Sequence, residues 1–193
     1  NIQLMQIRLA CSTVKRVVVS NRNKQIQRGL DIPTLSVFRK KESNMRGCLQ
    51  HDENDCGLAC ILTICKFLKI CVDETALRKN IFLGNDGLSL YGITEVFRTI
   101  GMKSLAVEGT NIELYSLLSE EKKPIIIMIN KDDEYHYVVL DKTNNSKVFL
   151  WDPNKGKRII TKEYFDLIWS SYAIIITEIL EIDRVVLPKK SVC

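Results

Sequence analysis

Asp55-Cys56-Gly57 stands at the head of an apolar run, Leu58–Leu68, interrupted only by Thr63 and Lys66. A segment apolar on every side reads as a buried central helix. A cysteine at the N-terminus of such a helix feels the partial positive charge of unpaired backbone N–H groups. That field favours thiolate over thiol, and the thiolate is the nucleophile. Gly57 is expected to leave room for a substrate backbone to approach. A reactive thiolate needs a base, and the sequence holds two histidines, His51 and His136. His51 lies five residues before Cys56 in a polar segment, whereas His136 opens the apolar run Tyr137-Val138-Val139-Leu140. On a strand at the edge of a sheet, such a histidine can be aimed at a helix end packed over that sheet. His136 is therefore the better candidate; the competing reading is a structural histidine with satisfied partners.

Sixteen residues after His136, Asp152 follows the run Lys147–Trp151 and precedes Pro153. If the Asn144-Asn145 turn joins two antiparallel strands, His136 and Asp152 each lie eight residues from the hairpin centre and fall at the same end of the sheet. A carboxylate there would fix the imidazole tautomer and support the imidazolium. Taken alone, Asp-Pro is a turn. Acyl transfer through a thiolate develops an oxyanion, which needs donors placed in advance; the amide of Gln50, six residues before Cys56, and the backbone N–H of Cys56 would supply two. Cys60, Cys65 and Cys71 read as small buried hydrophobes. A zinc or redox site built from Cys48, Cys56, Cys60, Cys65 and the histidines is the competing chemistry, but paired two-residue cysteine spacings do not support it. Neither a metal nor a cofactor is expected.

Several elements must position these residues. Besides the Cys56 helix, the first half predicts a helix capped by Ser89 and running through Ile100, closed by Gly101, and a third over Asn111–Leu118. A polar loop, Gly84-Asn85-Asp86-Gly87, separates the first two. After Pro124 the period changes to short β-branched or aromatic runs, Ile125–Ile129, Tyr135–Asp141, Lys147–Trp151 and Ala173–Ile179, which read as antiparallel strands. Thr161 would cap a short helix through Ile168. Helices first and a sheet second is an α+β arrangement of two packed layers.

The 193 residues are 46% hydrophobic and 26% charged, which excludes a disordered, collagen-like or low-complexity chain. One domain with an appended segment is the expectation at this length. The net charge of +5 is uneven: residues 1–44 carry nine Lys or Arg against Asp31 and Glu42, so the remainder is near neutral and slightly acidic. That body offers no clustered cations of the kind a nucleic-acid surface needs. Seven cysteines are an odd number, and four of them, from Cys56 to Cys71, crowd one helix and its exit. That arrangement, without a secretory signal, predicts a reducing compartment rather than a disulfide framework. The longest apolar runs fall well short of the roughly 20 residues that span a bilayer. Residues 1–44 are weakly patterned, with a helix around Ile2–Val19 and then a basic polar stretch. They read as a loosely ordered extension or one foreign to the natural protein, and Met45 is expected as the natural start.

The run Leu49-Gln50-His51-Asp52-Glu53-Asn54-Asp55-Cys56-Gly57-Leu58-Ala59-Cys60, with His136-Tyr137-Val138-Val139 and Asp152-Pro153 at their spacings, closely resembles the bacteriocin-processing double-glycine leader peptidases. These are the papain-like cysteine peptidase domains of peptidase-containing ABC transporters. The resemblance covers about Cys48 to Thr177. It implies a papain-like α+β fold over residues 45–180, with Cys56 as nucleophile, His136 as general base and acid, Asp152 as its orienter and Gln50 as oxyanion-hole donor. It implies a thiol protease that cleaves a bacteriocin, lantibiotic or signalling-peptide precursor after a Gly-Gly type pair. The implied partners are that precursor, with a helical leader read by an apolar surface, and the transmembrane and ATP-binding domains of the exporter. The implied location is the cytoplasmic face of the bacterial membrane. Residues 181–193 would lead toward a transmembrane domain absent from this chain. Alternatives are a non-cleaving leader-binding module and another papain-like acyl transfer, such as amidase or transglutaminase chemistry.

Overall fold

The computed structural model describes residues 45–81, 86–121, 123–131 and 134–180. The N-terminal extension with its helix over Ile2–Val19, the first residues of the Gly84–Gly87 loop and the tail 181–193 lie outside the described residues.

Helix α1 (Cys56–Phe67) is buried from Gly57 through Cys65, as its sequence requires. Its two polar positions are resolved differently. Lys66 is exposed, whereas Thr63 is buried and turns its hydroxyl back to Ala59 O at 2.8 Å while accepting Cys48 N–H at 2.8 Å. Helix α2 (Glu74–Asn80), capped by Asp73, was not expected. Helix α3 (Leu90–Thr99) starts at Ser89, whose hydroxyl accepts from Gly92 N, and Gly101 follows it at φ +78. Strand β1 (Met102–Glu108) leads to α4 (Asn111–Glu121). A reciprocal box opens α4, with Thr110 N donating to Glu113 Oε2 at 2.7 Å and Glu113 N to Thr110 Oγ1. Strands β2 (Ile125–Lys131), β3 (Glu134–Thr143), β4 (Lys147–Asp152) and β5 (Gly156–Thr161) follow, then α5 (Lys162–Ile168), capped by Thr161, and β6 (Trp169–Ile179).

All the strands form one antiparallel sheet in the order β1-β6-β2-β3-β4-β5. Its helices occupy both faces, so the molecule has three layers rather than the two expected. On one face α1, α2 and α3 pack with Ile126, Met128, Tyr137 and Val139. On the other, Leu114 and Leu118 of α4 and Phe165 and Ile168 of α5 cover Ile125, Ile127, Ile129, Val138 and Leu140. The unbroken apolar run of β2 is the reason: a strand apolar at successive positions must be buried on both sides. Strands β1 and β5, absent from the sequence reading, are the sheet's edges. Their mixed polar patterns, such as Gly156-Lys157-Arg158, suit an exposed edge.

The segment ahead of α1 is threaded between helix and sheet. Trp151 Nε1 donates to Cys48 O at 2.9 Å, and Gln50 N to Pro153 O at 2.9 Å. Gly47 is the tight point, since a Cβ there would lie 2.5 Å from Trp151 Nε1 and 2.6 Å from Thr63 Oγ1. Gly47→Ala must displace the indole and is expected to lose about 1–3 kcal/mol, seen as a lower urea midpoint.

Candidate active site

Cys56 is the first residue of α1, and the Asp55 carboxylate makes no capping bond there, so the first-turn N–H groups face the thiol's surroundings without a side-chain acceptor from the N-cap. His136 is the third residue of β3, which lies inside the sheet between β2 and β4, not at its edge. Asp152 closes β4. The hairpin joining these strands carries an irregularity between Leu140 and Lys142: Thr143 faces Val148, and Val139 faces Trp151. At the site end the strands are therefore offset by two residues from the symmetric register expected, and His136 and Asp152 are diagonal rather than direct partners. Strand alternation still puts both on one face, and the bond between them closes: His136 Nε2 lies 2.9 Å from Asp152 Oδ1. By strand parity His136 shares the face of Val138, and its ring hydrogen-bonds with Cys56 at the N-terminal end of α1.

An ionised carboxylate can only accept, so Nε2 carries the proton and Nδ1 is the nitrogen left for the thiol. Asp152 is 3% exposed. Burial alone would raise its carboxyl, but the hydrogen bonds from His136 and Asn154 N–H, with the charges of His136 and Arg158, bring it from 3.8 down to about 2. Burial likewise disfavours the His136 imidazolium, yet hydrogen bonds with Asp152 and Cys56 lift it from 6.5 to about 9. The stabilisation from Asp152 is complete above 3.8 and is lost as pH falls toward 2. That from His136 is complete below 6.5 and is lost as pH rises through about 9. Urea midpoints measured against pH should therefore peak between these limits, and Asp152→Asn should flatten the alkaline decline.

Asp152 also makes the turn that Asp-Pro suggests: its carbonyl accepts from Lys155 N and its Oδ1 from Asn154 N. Gln50 hydrogen-bonds through Nε2 to Asp52 O at 3.0 Å and through its backbone to Pro153, rather than to Cys56 or His136; its Oε1 is buried with no partner. His51 is exposed and its ring lies 3.7 Å from Glu74 Oε1, away from the thiol. The space at Gly57 is taken by the protein itself rather than left open to a substrate. A Cβ there would come within 3.2 Å of Leu88 and 3.4 Å of Ile93, so its missing side chain admits the start of α3. Cys60 and Cys65 are buried, as expected; burial pushes the Cys60 thiol well up and that of Cys65 to about 12. Cys71 is exposed, contrary to expectation, because it lies beyond the helix end. Cys11 and Cys193 fall outside the described residues. Arg158, whose Nη1 is 3.4 Å from Asp152 Oδ2, was not anticipated, because it lies on the unread edge strand β5.

Residues 45–179 match the peptidase C39 family. The chain is similar to the SPbeta prophage-derived sublancin-168-processing and transport ATP-binding protein SunT of Bacillus subtilis (strain 168). The two are 29% identical over 142 residues, covering 73% of this chain and 19% of that protein. It is 33% identical over 125 residues to the lactococcin-G-processing and transport ATP-binding protein LagD of Lactococcus lactis subsp. lactis, covering 63% and 17%. This chain thus spans less than a fifth of either relative's length. Among solved structures, the peptidase domain of Streptococcus ComA superposes with a TM-score of 0.62 at 22% identity, over 68% of this chain and 97% of that one. A double glycine motif protease from an AMS/PCAT transporter, solved with its leader peptide, gives 0.58 at 22% identity, over 69% and 94%. The fold is that of papain-like peptidase domains. A family match across most of the chain, on that fold, places this protein in the peptidase C39 family of cysteine peptidases.

Proposed function

We propose that this chain is a cysteine endopeptidase domain that removes the leader of a bacteriocin, lantibiotic or signalling-peptide precursor by cutting after a Gly-Gly type pair. The observation that carries this reading is the His136 Nε2–Asp152 Oδ1 bond at 2.9 Å, with Cys56 on the ring's other side at a helix N-terminus. The Cys56 thiolate attacks the carbonyl carbon of the second glycine. The resulting oxyanion is held by the Cys56 N–H and by the second N–H of the Gln50 amide. His136 protonates the departing amine, leaving a thioester on Cys56. It then takes a proton from water, whose oxygen attacks the thioester, and returns that proton to the sulfur as the leader acid departs. Asp152 holds the ring in the tautomer both steps use.

Two further observations support the substrate and partners. Relatives are named for processing and transport of such peptides, and one structural neighbour was solved with a leader peptide. On this reading residues 45–180 are the peptidase domain, 1–44 a basic extension, and 181–193 a linker toward the transmembrane and ATP-binding parts of an exporter at the cytoplasmic face of the membrane. No helix among the described residues is long and apolar enough to cross a membrane, so the domain would depend on that exporter for its membrane location. Incubation with a precursor containing a Gly-Gly site should yield leader and mature peptide masses. An intact precursor that nonetheless binds would instead favour a non-cleaving leader-binding module, and amide or crosslinked products another acyl transfer.

A further inference from the structure

Asp55 immediately precedes Cys56 and is 0% exposed. It occupies the N-cap, where a carboxylate ordinarily accepts from the first-turn N–H groups, but it makes no such bond. Both its oxygens are turned to α2 instead. Arg78 Nη1 donates to Oδ1 at 2.9 Å and Nη2 to Oδ2 at 2.8 Å, a bidentate pair, and His51 N donates to Oδ2 at 3.1 Å. Arg78 is fixed in turn by its Nε bond to Glu74 Oε1 at 2.9 Å.

We infer that Arg78, through its bidentate grip on Asp55, is a positioning residue that sets the N-terminus of the nucleophile helix. This rests on the peptidase reading above and extends it to a residue that touches neither substrate nor thiol. Two effects combine. An unpaired buried carboxylate one residue from Cys56 would oppose the thiolate that the helix N-terminus favours, and the guanidinium cancels that charge. The grip also pins the Gln50–Cys56 loop. Its far end is fixed by Asp55, and its near end by the His51 N–H on the same carboxylate and by Gln50 N on Pro153, beside Asp152. Arg78 thereby sets both the sulfur and the Gln50 amide relative to the His136–Asp152 pair. The other titratable groups around Cys56 are His136 and Tyr137 of β3 and Cys60 of its own helix; those around Arg78 are Glu74 and His51.

The test compares the wild-type domain with Arg78→Gln, Arg78→Lys, Asp55→Asn and the Asp55→Asn/Arg78→Gln double variant. Three quantities are measured: the iodoacetamide alkylation rate of the Cys56-containing peptide across pH, by mass spectrometry; kcat/KM for precursor cleavage; and the urea midpoint. Arg78→Gln is expected to move the alkylation midpoint up by about one pH unit and to lower kcat/KM by about 100-fold, mostly through kcat. Arg78→Lys should restore the midpoint but only part of kcat, because an ammonium supplies charge without the fork. The double variant should return the midpoint near wild type, since the uncompensated charge is gone, while cleavage stays slow. Unchanged alkylation and cleavage in Arg78→Gln would overturn the inference, as would a lower urea midpoint of Arg78→Gln with an unaltered alkylation profile, or full cleavage by Arg78→Lys. If Arg78→Gln does not fold, Arg78→Lys and Asp55→Asn carry the same comparison. Should the wild type cleave no precursor, the alkylation profiles still decide the positioning role separately from the peptidase reading.

Discussion

Cys56→Ala is expected to leave a Gly-Gly precursor intact while the domain still folds and still binds the leader. The thiol is half-buried at the first turn of α1, and removing one sulfur there leaves the apolar flank from Leu58 to Cys65 untouched. The urea midpoint should therefore stay close to wild type. Catalysis should not survive, because no neighbouring side chain can take over as nucleophile. Cys60 lies one turn deeper and fully buried, with its thiol pushed well up by that burial. Loss of a triad nucleophile lowers kcat by about 10⁶-fold in comparable systems, a drop that takes in the dependent base as well. Product masses after prolonged incubation provide the measurement. Wild-type cleavage by Cys56→Ala would remove Cys56 from the mechanism.

The second large effect belongs to Asp152→Asn, which should lower kcat/KM by about 10⁴-fold, less than loss of either Cys56 or His136. An asparagine matches the carboxylate in shape but can turn an N–H toward Nε2, which would strand the imidazole in the wrong tautomer with its proton on the side facing the thiol. It also removes the charge that helps hold the imidazolium up to about 9. The alkaline limb of kcat/KM should accordingly move toward the ordinary 6.5. Arg158 would lose its carboxylate partner at 3.4 Å as well, so a modest fall in urea midpoint is expected alongside. A loss of that size with an unshifted pH profile would mean that Asp152 acts by packing alone.

Much of this was legible in the chain because the strongest signals are local. Ser89, Thr161 and Gly101 mark helix ends through bonds within a few residues, and all three act as their types predict. The run around Cys56 is apolar on every side, and only a central helix satisfies that. Local signals say nothing where a residue's environment comes from distant chain. Strands β1 and β5 are edges with one wet face, so they lack the continuous apolar run that marks β2 and β3. Gly57 was read for a substrate because nothing near it in sequence shows that Leu88 and Ile93 fill the space. Arg78 sits on a short helix 23 residues from Asp55, too far for any periodicity to connect them.

By itself the amino-acid sequence determined the chemistry on offer: a cysteine at a helix N-terminus, a histidine on an apolar strand, and an aspartate one hairpin away. Those follow from residue type, hydrophobic period and turn residues, all short-range properties. Only the tertiary structure decided that the sheet is covered on both faces, that the hairpin is offset by two residues yet still closes His136 onto Asp152, and that the carboxylate beside Cys56 is held by an arginine from another helix. The physical reason is that strand register, layer number and buried ion pairs depend on packing between segments far apart in the chain, where burial and paired charge outweigh local preference.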